Sequence, residues 1–325
     1  MARTYTTFRN DYGSMTSNTE AGNLTLGDIF INDSIRTICN LQGGRLRFLE
    51  AVKTITTVAN QEGYQIPNGF RKLMDIVIWS EATTAGVPYT PEMLFDNARW
   101  SSVLQAKLGT GSVPYYTYVQ NNRFLVQPIP STTGNLIQIR GRLQTRDLLI
   151  PDITTATVVA IANGATAMTI ATTAATADWV GRFIKITQTN AANGGDGFWY
   201  EIGSFTNGTT IGLTKPYEGT TIVAGTAACV VGQVSVIPEA YDIAAVYRSC
   251  ALYYQQMKDL AQAKTYWMMY DGGKEAGYAN VYGGIIGDML ANEGETEEGS
   301  YVPPAGSVST NPAPYYLPMN NASGF

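Results

Sequence analysis

The sequence predicts an α+β fold: a small helix/β unit closed by a long C-terminal helix, with an inserted all-β barrel or sandwich module and an extended C-terminal tail. Three observations predict it. Residues 238–273 carry a continuous helical pattern of apolar residues, residues 151–236 carry short alternating runs about every ten residues, and residues 274–325 carry neither. The expected organisation is a core unit made of 1–150 plus 237–273, an inserted β module over 151–236, and a partner-docking tail over 274–325.

In chain order, "LTLGDIFINDSIRTICNLQG" reads as a short helix with Thr25 as its cap and Gly43 and Gly44 as its stop, interrupted near Asn32. Next, Val52, Thr54, Thr56 and Val58 alternate as a strand, ending in a turn at Gly63 and Pro67. "RKLMDIVIWSE" reads as a second strand. "TPEMLFDNARWSSVLQAK" has Thr90 in cap position, Pro91 first and Glu92 in the first turn, so a helix is expected there. Residues 113–144 then give three strands, with a tight turn at Asn121-Asn122 and a longer Pro-Ser-Thr-Thr-Gly loop.

Composition turns rich in Thr, Ala and Gly after Pro151. Strands are predicted over 158–161, 168–170, 183–186, 199–202, 209–213 and 228–231, with turns at Asn163-Gly164, 194–197 and Asn207-Gly208. Because the ends of this module lie at Pro151 and Pro238, its excision is expected to leave a folded remainder.

The segment 238–273 reads as one helix of about nine turns. Pro238, Glu239 and Asp242 suit its start, and Asp271-Gly272-Gly273 its stop. One stripe runs through Ile243, Val246, Cys250, Tyr253, Met257, Leu260 and Trp267. A second strip runs through Ala244, Tyr247, Ala251, Tyr254, Ala261 and Met268. A monomer needs only one apolar face, so Ala244, Tyr247, Ala251, Tyr254 and Ala261 are expected to pack between subunits. On that reading Ala251→Glu leaves a folded monomer that cannot assemble.

The tail mixes Pro, Gly, Ser and Asn but carries Tyr301, Tyr315, Tyr316, Leu317, Met319 and Phe325, more apolar anchors than a solvated tail needs. It is expected to order against a partner.

Composition bounds the chemistry. The 325 residues hold 45% hydrophobic and 14% charged residues, too apolar for a disordered chain. Net charge is −5, and six of the acids lie from Glu275 onward with no Lys or Arg among them, so the remainder carries +1. No strong basic stripe is present to grip nucleic acid. Cys39, Cys229 and Cys250 stand far apart and read as buried thiols. The N-terminus lacks an apolar leader core and no run approaches the ~20 apolar residues that cross a bilayer, which reads as a soluble, cytosolically made protein with no membrane partner.

Histidine is absent, which removes Ser-His-Asp and Cys-His catalysis and leaves carboxylate chemistry open. Glu201 beside "DGFWY" and Asp178 beside Trp179 are the acids with a neighbouring aromatic platform, although Trp179, Trp199 and Tyr200 fit the core of a β module better. "GGDGFWYEIG" lacks the following helix and GK[ST] of a phosphate loop and reads as a hairpin turn. Arg140, Arg142 and Arg146, at even spacing, are expected on one strand face, set either to meet phosphates or to pair with neighbouring acids. The 20 tyrosines suit protein contacts. No cofactor or metal site is expected, and no enzyme.

A family resemblance rests on particular residues: Tyr64, Pro67 and Phe70 after the strand ending near Thr56, then Phe124, Val126, Pro128 and Pro130, then "IRGRL", then Pro238-Glu239 opening the last helix. Over about 24–150 and 236–272 the chain resembles the head-to-tail adaptor (connector) proteins of tailed bacteriophages. That resemblance implies a structural virion neck protein, assembled in the host cytoplasm. It forms a homo-oligomeric, usually dodecameric ring that joins the portal protein to a downstream tail or nozzle protein and lets double-stranded DNA pass without sequence recognition. The alternatives are a glycan- or receptor-binding β module and a carboxylate-based cell-wall glycan hydrolase.

Overall fold

The computed structural model describes residues 3–293, apart from 68, 85, 107, 112, 121, 172–174, 188–195 and 224–226. Helix α1 (Tyr5–Met15) starts where the Thr4 side chain accepts the Thr7 amide, and α2 (Ala21–Asn40) follows after a short turn. The sequence reading missed α1, although Tyr5, Phe8 and Tyr12 recur at helical spacing and are all buried. Helix α2 is continuous through Asn32, whose amide reaches out to bond Leu148 on both sides, and Thr25 is an interior position bonded to the Ala21 carbonyl, not a cap.

Gly27 lets α1 and α2 meet. A Cβ there would overlap the ring of Tyr12, which is fully buried and has no space to retreat. Gly27→Ala should therefore cost about 1–3 kcal/mol by overpacking, outweighing the roughly 1 kcal/mol that alanine gains over glycine in a helix. A urea midpoint equal to or above that of the native chain would show that the contact is slack.

Ten strands follow: β1 (Glu50–Thr56), β2 (Gly63–Gln65), β3 (Phe70–Trp79), β4 (Pro88–Tyr89), β5 (Glu92–Leu94), β6 (Thr110–Gly111), β7 (Tyr116–Gln120), β8 (Arg123–Gln127), β9 (Ile129–Pro130) and β10 (Leu136–Leu143), with α3 (Asn97–Gln105) between β5 and β6. They make the sheets β1-β10-β3-β4 and β2-β8-β7-β5 and a short β6-β9 pair. Tyr64, Ile76, Ile78, Phe124, Val126, Ile137 and Ile139 form their common core. The helix expected from Thr90 begins only at Asn97, because Asp96 supplies the cap and residues 92–94 pair in parallel with β7. Local cap chemistry at Thr90 loses to sheet pairing.

The β module is a closed barrel of β11 (Thr157–Ala160), β12 (Ala167–Ile170), β13 (Phe183–Ile186), β14 (Trp199–Asn207), β15 (Thr210–Leu213) and β16 (Ala227–Gly232), in the order β11-β12-β15-β14-β13-β16. All six strands lie where alternation predicts them, and closure decides for barrel over sandwich. Met168, Ile170, Ile184, Ile186, Ile202, Ile211 and Val231 fill it together with Trp179.

The largest correction concerns residues 238–273. Residues 238–242 form turns, α4 (Ile243–Gln256) ends at Met257, and α5 (Leu260–Asp271) runs separately. Lys258 takes a left-handed φ of 62° and Asp259 caps α5 by accepting the Gln262 amide. The chain folds back as a helical hairpin: Tyr254 stacks on Tyr266 at 5.6 Å, Tyr247 lies 6.2 Å from the same ring, and both Tyr254 and Tyr266 donate to the Met15 carbonyl. A further helix, α6 (Gly284–Glu293), occupies the start of the segment read as tail, burying Ile286 and Met289 in the helical core.

Candidate assembly surfaces

The helical body shows where each expected subunit contact lies. Ala244 and Ala251 are fully buried in the chain's own core, which corrects their assignment to a surface facing a neighbour. Tyr247 and Tyr254 are half-buried against α5 and α1, and Ala261 alone of the five is exposed. The docking residues Tyr301, Tyr315, Tyr316, Leu317, Met319 and Phe325 lie outside the described residues.

What the hairpin does expose is a different apolar line. Met257 and Leu260, read as core from their spacing, are 62% and 65% exposed, and Met268 is 47% exposed one helical face along from Ala261 and Lys264. The periodicity persists through the break at 257–259, but the reversal of direction turns these side chains outward. Further exposed apolar side chains, which sequence reasoning missed, are Val87, Phe95, Leu104, Leu108 and Tyr115, with Phe95 at 73%. For Phe95 the signal was the apolar end of "PYTPEMLF", which a helix assignment absorbed.

Buried charge ties the body together. Arg248 on α4, nearly inaccessible, donates to Asp33 at 2.6 Å and to both oxygens of Glu275 at 2.6–3.1 Å, joining α2 to the segment after α5. Arg3 binds Asp11 at 2.8 Å and also Asp242, which is fully buried; Thr4 binds Asp152. The Tyr5 amide donates to the Gln233 carbonyl, and the Gln233 side chain accepts from the amides of Leu149 and Ile150. The N-terminus thus stitches both barrel connections to α4.

Burial raises the Asp242 carboxyl above its ordinary value, more than the bonds and charge of Arg3 lower it. A raised folded value means that the folded state binds the proton more readily, so this group's contribution is fully present below the ordinary carboxylate value near 3.8 and is lost as pH rises through the folded value. The stability difference between the native chain and Asp242→Asn should therefore shrink as pH rises above the ordinary carboxylate value near 3.8. A difference that grows over this range, measured by urea unfolding, would show that Arg3 outweighs burial.

The remaining candidates resolve simply. Trp179 is buried inside the barrel, so it offers no platform beside Asp178, which is exposed; Tyr200 is buried and Trp199 half-buried, with the Lys185 ammonium 5.9 Å from its ring centre. The Gly194-Gly195 part of the glycine-rich turn lies outside the described residues. Arg140 and Arg142 hold alternate positions in the unbroken pairing of β10 with β1, Arg140 exposed and bound to Glu50 and Arg142 buried, whereas Arg146 lies beyond the strand. Cys39, Cys229 and Cys250 are buried free thiols, pushed up to about 12 by burial. An open depression of about 460 Å³ is lined by Gly63, Tyr64, Gln65, Asn122 and Arg123, with no carboxylate among them. Among the described residues no helix is long and apolar enough to cross a membrane, and no cluster could hold a metal ion.

The described body thus combines exposed apolar side chains with buried intrachain ion pairs. Residues 3–163, about half of the chain, match the family model described as SU10 adaptor protein, and this shows the phage head-tail adaptor family for the chain. The family is structural, acts in the virion, and interacts with other head and tail components. No curated protein matches the chain.

Proposed function

We propose that the chain is the subunit of a homo-oligomeric ring, dodecameric as the adaptor resemblance implies, which joins the portal to the downstream tail or nozzle and extends the DNA channel at the virion neck. The observation that carries this reading is the adaptor-family match over residues 3–163. Two further features support it. The line Met257, Leu260, Ala261 and Met268 and the exposed Phe95 belong to different elements, which suits a head-to-tail contact that closes by rotation. The near-neutral body suits a conduit that must not retain phosphates. Residues 301–325, with their tyrosines, would anchor the subunit on the portal or on the next copy.

Negative-stain images and mass measurement of the purified chain test the ring; a compact single copy at working concentration would sink it. The contact line is tested by Leu260→Glu with Met268→Glu. Both side chains are exposed, so folding should change by no more than about 0.5 kcal/mol per substitution. Assembly should weaken at least tenfold. Rings that persist at the native concentration threshold would move the contact elsewhere.

A further inference from the structure

Among the described residues the fold disposes of its sheet edges everywhere but one. The barrel closes on itself, the sheet β2-β8-β7-β5 ends on three-residue strands at both sides, and β6 and β9 have two residues each. The sheet β1-β10-β3-β4 ends at one side on β4, two residues beginning with Pro88. Short edges and proline are the ordinary guards against unwanted pairing. At the other side lies β1, seven residues paired to β10 alone. Its exposed face carries Val52, Thr54 and Thr56, followed by Val58, with Val52 at 53% exposure. This is a long, β-branched, proline-free template for one more strand.

We propose that the open edge of β1 takes an extended segment from another copy of the chain, and that the segment is residues 305–311, Ala-Gly-Ser-Val-Ser-Thr-Asn. The proposal rests on the assembly reading above, since it needs copies side by side. Length and composition select the segment. Between Pro304 and Pro312 stand seven residues, as many as β1 has, with Val308 and Thr310 at alternate positions. The other proline-free stretches of similar length in the chain end are an acidic one, 294–302, and 319–325, which has no β-branched residue. The stretch from 293 to 305 spans up to roughly 40 Å when extended, enough to leave one copy and reach another.

Charge sets the direction. The segment is preceded by Glu293, Glu295, Glu297 and Glu298, and β1 is preceded by the exposed Arg45 and Arg47, with exposed Arg71 and Lys72 on β3 of the same sheet. A parallel addition brings the acidic leader beside Arg45 and Arg47. An antiparallel one would carry it away from them.

The test uses the full chain with Lys53→Cys and Val308→Cys, which stand side by side when 305–311 lies parallel to 50–56, oxidised and run without reductant; the three native thiols are buried and do not compete. Linked copies are expected, and adding Ser307→Pro with Ser309→Pro, which lie far from the folded body in sequence, should reduce the linked fraction at least tenfold. In the native chain, hydrogen exchange at the outward amides of 50–56 should be at least tenfold slower than in the Ser307→Pro/Ser309→Pro chain. Equal exchange in the two, or disulfides formed only within single copies, would overturn the proposal. Particle mass on the same samples separates the two readings: rings of fixed mass without cross-links retain the assembly reading and sink this one, and single copies throughout sink both.

Discussion

Ala251→Glu is expected to unfold the helical body. Ala251 has no exposed surface and sits in the cluster where α4 meets α2, a contact also held by the hydroxyls of Ser34 and Ser249 at 3.1 Å. A carboxylate placed there has neither a partner nor water, and uncompensated buried charge costs about 3–5 kcal/mol, much of the stability of an ordinary domain. Expression in the insoluble fraction, or loss of the cooperative helical melt by circular dichroism, is the expected result. The sequence pattern alone predicts the opposite, a folded monomer defective only in assembly. If that monomer is found, the α4 strip does face a neighbour and the hairpin of α4 and α5 opens in the assembled state.

The second large effect is expected from excising the barrel. Its apolar cluster shares no residue with the clusters of the helical body or the flat sheets, and its ends already meet, since Ile153 and Val231 exchange backbone hydrogen bonds at 2.8 and 2.9 Å. We propose that it is a separate folding unit. Replacing residues 154–230 with a short Gly/Ser linker keeps Asp152 and Gln233, which hold the N-terminus, and keeps Leu148 and Ile237 in the helical core. The helical signal and a single cooperative transition should survive. The cost should be about 1–2 kcal/mol, the scale of the one or two hydrogen bonds broken at the seam. Aggregation with loss of helix would show that the barrel completes the main core.

The sequence by itself determined the elements whose periodicity and position agree. All six barrel strands, β3 and β10 could be read because period-2 alternation in a half-buried strand is a local pattern and its turns carry Gly or Asn. The adaptor resemblance was likewise legible, and its part from Tyr64 to Pro130 falls within the region matched by the family model, whereas its part over 236–272 lies outside that region. The two candidate surfaces were not legible, because exposure of Leu260 or Phe95 depends on what packs opposite them.

Only the tertiary structure decided how the last helical segment is used. Helical spacing continues through Met257, Lys258 and Asp259 because apolar periodicity records faces and not direction, and no glycine marks the reversal. Lys258 adopts a left-handed backbone that its own side chain disfavours. The stacking of Tyr254 on Tyr266 and the cap at Asp259 outweigh that cost. In the same body Ala244 and Ala251 are buried, while Met257, Leu260 and Met268 on either side of the reversal lie exposed. In each case the deciding term is a contact between residues distant in sequence, and a local pattern carries no record of it.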